Sequence, residues 1–250
     1  LNVGGAIETA SWKDIPDAIL LPWQCGQEIG HSIADMLTGK VAPSGHLPMT
    51  LPEKLSDHAS TKNFPLDSPD ISGWGDENKN DRKNTDYTEY EEDIYVGYRW
   101  FDKQRLNVSY PFGYGLTYTT FEFEGLKLNV RNGDTHSDDT IEVSVNVKNI
   151  GATTGKQVVQ VYVVAPKGNQ DKPEQELKGF AKTRLLKPGE SQLLTICIPK
   201  INLASFYAKK SAWIVDGGTY VFRIGDNSRN ILCEGKIKIK KQQEKVSVSL

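Results

Sequence analysis

The residues of this sequence that are best suited to chemistry lie in an acidic, aromatic stretch near its middle. Glu91 and Glu92 are adjacent carboxylates, and Tyr90 stands directly before them. Paired carboxylates can act as general acid and base when their surroundings shift a pKa, and an aromatic ring beside them could stack on a sugar. We favour a simpler interpretation, in which the acids form a solvated turn that pairs with Arg99. Contact with a ligand in a cleft is the second hypothesis, and catalysis is the third.

Trp74 is the one large apolar side chain in a long polar stretch, residues 68–86, that is rich in Asp, Asn, Lys and Gly. An irregular segment of this length is either functional or disordered. We interpret Trp74 as a local anchor, with a platform for a sugar as the alternative. With Tyr90, Glu91 and Glu92 it completes the set of candidate cleft residues.

Other kinds of site find little support in the sequence. The four histidines show no spacing typical of a zinc site, so we predict no metal site. Neither a P-loop nor a dinucleotide-binding glycine motif is present. The three cysteines, Cys25, Cys197 and Cys233, are too few and too far apart for a disulfide framework. We expect them to be small buried hydrophobic side chains, and a Cys197–Cys233 bridge stays open as the alternative.

The composition is that of an ordinary globular protein, with 38% hydrophobic and 25% charged residues among 250. The formal net charge of -2 makes a nucleic-acid partner unfavourable on electrostatic grounds. No apolar run is long enough to span a bilayer, so we expect no membrane partner. The sequence begins without the basic segment and apolar core of a signal peptide, and it reads as an apolar strand entered midway. We therefore expect it to be the later part of a longer chain.

The first 52 residues have the pattern of alternating strands and helices. Short apolar runs at residues 2–7 and 18–23 predict buried strands. Apolar residues at helical spacing then follow Gly26, and Gly39 stands where a helix would end. Residues 46–51 alternate as in a strand, and the prolines around them place it at a sheet edge. This segment resembles the end of an α/β domain.

The second half of the sequence predicts an antiparallel β-sandwich. About seven short strands separated by regular turn signals over about 110 residues are typical of that fold. The clearest candidates are residues 140–147, 158–164, 177–180, 193–198, 219–224 and 231–239. Residues 240–250 are polar, and we expect this tail to fray.

Between these two parts, large aromatic residues stand next to glycines that permit close backbone approach. We expect this aromatic joint to dock the sandwich onto the α/β segment, with Trp100 buried. The residues concerned are Tyr98, Trp100, Phe112 and Tyr114 beside Gly97, Gly113 and Gly115.

Ordered motifs along almost the whole chain resemble family 3 glycoside hydrolases. Residues 90–102 (YEEDIYVGYRWFD) and 110–121 (YPFGYGLTYTTF) resemble the segment that joins the second domain of this family to its fibronectin type III-like domain. Each motif is weak alone, but together they are specific. The departures are small: Gln24, Cys25 and Ile29 replace more usual residues, and residues 67–86 match no family pattern. The other similar segments are 26–30 (GQEIG), 34–39 (ADMLTG), 43–50 (PSGHLPMT), 147–151 (VKNIG), 155–162 (GKQVVQVY), 176–180 (ELKGF) and 187–191 (KPGES).

The resemblance implies a mixed fold class. A partial α/β region, the end of an αβα sandwich, is followed by an all-β, immunoglobulin- or fibronectin III-like antiparallel sandwich. Relatives of this layout carry their nucleophilic Asp on a preceding (β/α)8-type barrel, and many have the acid/base Glu in an S-E-G-x-D-R-like segment. No Ser-Glu dipeptide occurs in this chain, so no catalytic residue is transferred to it. The resemblance also implies no cofactor, since two carboxyls suffice, and as partners the barrel domain and a β-linked sugar.

We therefore divide the chain into an αβα part (1–60), a linker with the aromatic joint (61–104), a fibronectin type III-like sandwich (105–240) and a polar tail (241–250). The function expected is that of a C-terminal fragment of a retaining, exo-acting β-glucosidase-like hydrolase. The fragment would be inactive alone, and residues 67–93 would shape one wall of the cleft. A non-enzymatic sandwich that binds carbohydrate or protein is the alternative, and a separately encoded barrel chain is a third. The α/β segment favours the first hypothesis, because a free-standing adhesion module has no use for half a doubly wound domain.

Overall fold

The computed structural model describes residues 1–63, 90–133, 139–168 and 170–246. Among these residues, no helix is long and apolar enough to cross a membrane. Strands predominate. The helices are α1 (Ile29–Leu37) and α2 (Tyr98–Lys103), and the strands are β1 (Leu51–Pro52), β2 (Val108–Tyr110), β3 (Phe121–Arg131), β4 (Thr140–Asn149), β5 (Val158–Val164), β6 (Glu176–Lys182), β7 (Ser191–Pro199), β8 (Ser205–Tyr207), β9 (Ala212–Val215), β10 (Gly218–Gly225), β11 (Ile231–Ile239) and β12 (Gln242–Lys245).

Two antiparallel sheets form the predicted sandwich. One has the strand order β3-β4-β7 and the other the order β11-β10-β5-β6. Every second residue of β4 from Ile141 to Val147 is fully buried, because alternate side chains of a strand point to one face. They meet Tyr220, Phe222 and Ile224 of β10 in one hydrophobic core. All six strands proposed from the sequence pattern are confirmed, two of them with the predicted bounds.

β5 differs from the other strands because both of its faces are covered. Val159, Val161 and Val163 point into the core, whereas Gln160 and Tyr162 lie on the outer face and are also buried. Tyr98 of α2 and the backbone of Gly113 contact this outer face. The contact between the two parts of the molecule therefore includes β5.

Five strands, β2, β3, β8, β9 and β12, were not predicted from the sequence. β3 has a bulge between Glu124 and Lys127, with Gly125 at φ +64°, and this interrupts its alternation. β8, β9 and β12 form a small third sheet in the order β12-β9-β8. The expectation that the C-terminal tail frays is wrong for Gln242–Lys245, because these residues pair with β9. The backbone of a polar segment can still complete a ladder when an edge strand is available.

The first 63 residues contain less regular structure than predicted. α1 is present and Gly39 has φ +75° just beyond its end, as expected. The strands predicted at residues 2–7 and 18–23 are absent. Of the third, predicted at residues 46–51, only Leu51 lies in a strand, β1, which pairs with β2. A strand needs a ladder of hydrogen bonds to a neighbouring strand, and among the described residues neither run takes part in one. The amino group of Leu1 donates to the carbonyl of Leu20, but this is a single bond and not a ladder.

The cysteines are free, and the prediction that all three are buried is wrong. Cys25 and Cys197 are exposed, and Cys233 is half-buried. Cys197 lies on β7 between Ile196 and Ile198, whose side chains are buried, so alternation turns its thiol to the outer face of the sheet. A Cys197–Cys233 bridge is absent.

Candidate functional site

The acidic turn at residues 90–92 is open to solvent. Glu91 forms an ion pair with Lys62. Lys62 lies in a short 3-10 helix, Ala59–Asn63, that precedes residues 64–89 in the sequence. The hydrogen bond from Lys62 holds the pKa of Glu91 below its ordinary value. Tyr90 is 88% exposed. Glu92 is half-buried and its backbone carbonyl accepts a hydrogen bond of 2.9 Å from the amide of Tyr95.

This geometry does not suit general acid catalysis. A catalytic acid needs a raised pKa in a protected site, whereas Glu91 is exposed and its ionised form is stabilised. The expected partner of the acids is also different, because Arg99 lies 3.6 Å from Glu176 of β6 instead. Glu91 and Glu92 are adjacent in the sequence, but their side chains share no hydrogen-bond or ion-pair partner among the residues that the structure describes. Trp74 and residues 67–89 of the expected cleft wall lie outside the described residues.

The described part of the chain forms no metal centre. No three His, Cys, Asp or Glu side chains among the described residues are arranged to hold a metal ion. A shallow pocket at the end of β10 and β11 is lined by Arg223, Glu234, Leu232 and their neighbours, without an aromatic ring.

The most elaborate polar arrangement among the described residues lies at the aromatic joint. The carbonyl of Gly113 accepts hydrogen bonds from Nδ1 of His46 and from Nε2 of Gln160, the latter at 3.0 Å. Gln160 Nε2 also donates to the carbonyl of Asp226, and its Oε1 accepts from the hydroxyl of Tyr162 at 2.6 Å. Gln160 is only 3% exposed. A buried amide that is satisfied on both ends fixes one relative position of its neighbours.

Two glycines let the backbone approach closely enough for these bonds. Gly113 has φ +81°, and a Cβ there would lie 2.1 Å from Oε1 of Gln160. A Cβ on Gly115 would lie 2.4 Å from the carbonyl oxygen of Gly45. The amide of Gly113 and the carbonyl of Tyr114 both bond to the backbone of Leu47, at 2.8 Å each. The predicted role of Gly113 and Gly115 in docking is confirmed.

Some aromatic residues of the joint pack inside the contact, and others lie at its solvent-exposed edge, here called the rim. The ring of Tyr98 stacks on Phe112 with 4.8 Å between centroids and lies edge-on to Tyr162 at 5.9 Å. Burial raises the pKa of Tyr98, whose hydroxyl oxygen accepts a hydrogen bond from the amide of Leu177. Phe101 is 1% exposed.

The expectation that Trp100 is buried is wrong, because its side chain is half-buried. Consecutive residues of a helix point about 100° apart, so Trp100 and Phe101 cannot both face inward. Trp100 lies at the rim of the joint, where its Nε1 donates to the carbonyl of Asp57 at 2.9 Å.

A half-buried carboxylate, that of Asp102, ties α2 to the sandwich. Burial raises the pKa of Asp102, and a hydrogen bond from Gln175 and the charge of Arg229 oppose this shift. Gln175 Nε2 lies 3.3 Å from Asp102 and donates at 2.7 Å to the carbonyl of Ser228. Arg229 also donates to the carbonyl of Leu106. These partners come from loops at the ends of β6, β10 and β11, so no local sequence signal could have identified them.

Comparison with known proteins assigns both parts of the chain. Residues 1–118 match the model of the glycosyl hydrolase family 3 C-terminal domain, and residues 157–228 match the fibronectin type III-like domain. Beta-glucosidase A from Butyrivibrio fibrisolvens is 41% identical over 92% of this chain. Beta-glucosidase B from Emericella nidulans is 38% identical over 96% of the chain. The chain spans only 28% and 27% of the length of these two relatives.

Solved structures agree with the sequence comparison. Beta-glucosidase 3B from Thermotoga neapolitana in complex with glucose superposes with a TM-score of 0.84 at 44% identity. The match covers 98% of this chain and 31% of that one. The beta-glucosidase from Kluyveromyces marxianus in complex with glucose has a TM-score of 0.83 at 34% identity, covering 98% and 27% of the two chains. The chain therefore belongs to glycosyl hydrolase family 3, of which it carries the C-terminal domain segment and the fibronectin type III-like domain.

Proposed function

We propose that the complete protein is a retaining, exo-acting β-glucosidase and that this chain is its non-catalytic C-terminal support. The observation that carries the proposal is the similarity to beta-glucosidases over more than nine-tenths of the chain. The relatives are three to four times longer than this chain, which leaves room for the domains that would perform catalysis.

The catalytic carboxylates would lie outside this chain. A retaining glycosidase uses one carboxylate as nucleophile and a second carboxyl as acid/base, held about 5 Å apart. Glu91 and Glu92 do not form such a pair, because Glu91 is exposed and paired with Lys62. We propose an Asp of a barrel domain as the nucleophile and a Glu of the αβα domain as the acid/base, both supplied by the rest of the protein.

Residues 1–60 would complete the αβα domain, and the sandwich would hold that domain in place. Leu37 and Val41, at the end of α1 and just after it, are 69% and 50% exposed. Apolar side chains of this size favour burial, so we propose that the barrel and the remaining αβα residues cover them. Residues 61–104 would then act as the connection, residues 105–240 as the sandwich and residues 241–250 as its end.

The stereochemistry of hydrolysis tests the mechanism. The complete protein is mixed with an aryl β-glucoside, and proton NMR follows the first glucose that is released. Retention predicts that the β-anomer appears first and that the α-anomer grows in later by mutarotation, because the sugar passes through a covalent ester. An α-anomer that appears first would show inversion and would overturn the proposed mechanism.

A non-enzymatic binding module is the competing function. The hydrogen bonds of His46 and Leu47 to the joint favour the enzyme instead, because they hold the family 3 segment against the sandwich. Absence of any turnover of aryl β-glucosides and β-xylosides by the complete protein would favour the binding module.

A further inference from the structure

The small third sheet presents two aromatic rings on one rung. Phe206 of β8 lies directly opposite Trp213 of β9, and Trp213 lies opposite Glu244 of β12. Residues that face each other across an antiparallel ladder point to the same side of the sheet. The rings are 5.3 Å apart between centroids and tilted by 60°. The three side chains therefore form a continuous outer row, the aromatic rung, that ends in a carboxylate.

The aromatic rung is exposed although its strands are well anchored. Phe206 and Trp213 are 45% and 44% exposed. On either side of Trp213, Ala212 and Ile214 are buried, and Val215 of the same strand belongs to the hydrophobic core, which fixes the direction of the strand. Aromatic side chains have only two rotatable torsions, so a ring held on an anchored strand loses little conformational entropy when it binds a ligand.

The exposed surface is too small for a stable protein interface. Two rings with these exposures present roughly 200 Å², whereas a stable interface needs about 800 Å² per partner. Val246 is a further exposed apolar residue close to this row, and Glu244, Lys209 and Lys210 are exposed polar residues near it. A narrow apolar strip with polar edges fits a ligand that is itself apolar on its faces and polar at its rim.

A β-linked glucosyl ring has this distribution. Its hydroxyl groups lie at the edge of the ring, and its two faces carry C–H groups. One face can stack on the indole of Trp213 or the ring of Phe206, while the carboxylate of Glu244 accepts hydrogen bonds from edge hydroxyls. We propose that the aromatic rung is a β-glucan binding site that holds an oligosaccharide or polymer on the surface of this chain. The choice of a β-glucan as ligand rests on the proposed function.

The site can be tested without catalysis. The 250-residue chain is run on native gels that contain soluble mixed-linkage β-glucan, glycogen or no polymer. We expect retardation by the β-glucan alone. Trp213→Ala, Phe206→Ala and Glu244→Gln should each weaken binding, with about tenfold or more for Trp213→Ala, because stacking area or a charge-assisted hydrogen bond is lost.

Phe180→Ala is the matched control, since Phe180 is an exposed aromatic residue on a different strand, at 69% exposure. It should migrate as the parent chain does, and Trp213→Tyr should restore part of the retardation. Unchanged migration of the parent chain in β-glucan, or loss of retardation in Phe180→Ala as well, would overturn the proposal. A Trp213→Ala variant that changes the sedimentation coefficient but not glucan binding would also overturn it, in favour of a contact between protein surfaces.

Hydrolysis of an aryl β-glucoside by the complete protein tests the proposed function separately. Such a small substrate does not need a second site, so Trp213→Ala should leave its kcat/KM unchanged. Retardation by β-glucan without hydrolysis would contradict the proposed function and leave the binding site supported. Hydrolysis without retardation by β-glucan would support the proposed function and contradict the binding site.

Discussion

At the scale of single residues, the backbone of Gly113 lies against the side-chain amide of Gln160. Two requirements meet at this position, a left-handed backbone and a space without a Cβ. Gly189 meets only the first requirement, since it has φ +80° and no atom within 4 Å of an added Cβ. The two glycines therefore allow the cost of the backbone conformation to be separated from the cost of lost contact.

We predict that Gly113→Ala destabilises the protein clearly more than Gly189→Ala. Both variants lose about 1 kcal/mol for a non-glycine residue at positive φ. Gly113→Ala must also displace the buried amide of Gln160 and break its hydrogen bonds, which adds about 1–3 kcal/mol. Urea unfolding measures both free energies. Equal losses in the two variants would show that the joint does not depend on close approach at Gly113.

His58 makes the stability of the joint depend on pH. Its ring lies edge-on to Phe101 with 5.5 Å between centroids. Burial lowers its pKa from the ordinary value of 6.5, and the nearby charge of Asp57 partly opposes this. Between the lowered pKa and 6.5, the unfolded chain binds more protons than the folded protein, so the free energy of unfolding rises with pH in this window.

We therefore predict that acidification from pH 7.5 to 5.5 destabilises the parent chain more than His58→Gln. Urea unfolding at several pH values gives the slope of the free energy of unfolding against pH for each chain. The difference between the two slopes is the contribution of His58, because the carboxylates are the same in both. A larger loss in His58→Gln than in the parent would have the opposite sign and would contradict burial as the cause.

At the scale of elements, α2 shows how a short helix separates residues that look equivalent in the sequence. Tyr98 and Phe101 are three residues apart and therefore lie on one face of the helix. Tyr98 packs on Phe112 and Phe101 is almost fully buried, whereas Trp100 is half-buried at the edge of the joint. The free energy of unfolding should therefore decrease more for Phe101→Ala, by about 3–5 kcal/mol, than for Trp100→Ala. Thermal or urea unfolding of the two variants gives the order. A larger loss of stability for Trp100→Ala than for Phe101→Ala would contradict the assignment of Phe101 as the buried residue of α2.

The elements that could be predicted from the sequence are those whose pattern is set by their own alternation. Val143 and Val145 in β4 mark a buried face without reference to any other segment. β12 could not be predicted, because its polar residues become a strand only through pairing with β9. The strands expected at residues 2–7 and 18–23 failed for the related reason that strand formation depends on a neighbour.

The candidate site shows the same limit. Glu91 and Glu92 were recognisable as acids, but the pairing of Glu91 with Lys62 depends on how the chain returns after residue 89. Gln160 lies in one of the segments that resemble the family, but its role could not be predicted, since an amide in an apolar strand becomes informative only when Gly113 is placed against it. The docking glycines could be predicted because positive φ and close approach both restrict residue type.

At the scale of the whole molecule, the described residues divide into a well-packed sandwich and a loosely packed first part. No residue of α1 is buried, whereas β4 contributes four fully buried side chains to the core. We therefore predict that the amides of α1 exchange with deuterium long before those of β4 and β5 in the 250-residue chain. Hydrogen exchange with mass spectrometry measures this order. Equal protection of α1 and β4 would contradict the proposed division at residues 60 and 105.

The claim that this chain supports catalysis without performing it can be tested most directly by comparing hydrolysis rates. An aryl β-glucoside is offered to the complete protein, to the 250-residue chain, and to both with Glu91→Gln or Glu92→Gln. We predict turnover by the complete protein only. Neither substitution should change its kcat/KM by more than about threefold, because loss of a catalytic acid or base costs about 10²–10⁴-fold. Turnover by the 250-residue chain that survives repurification and disappears in either variant would contradict the account.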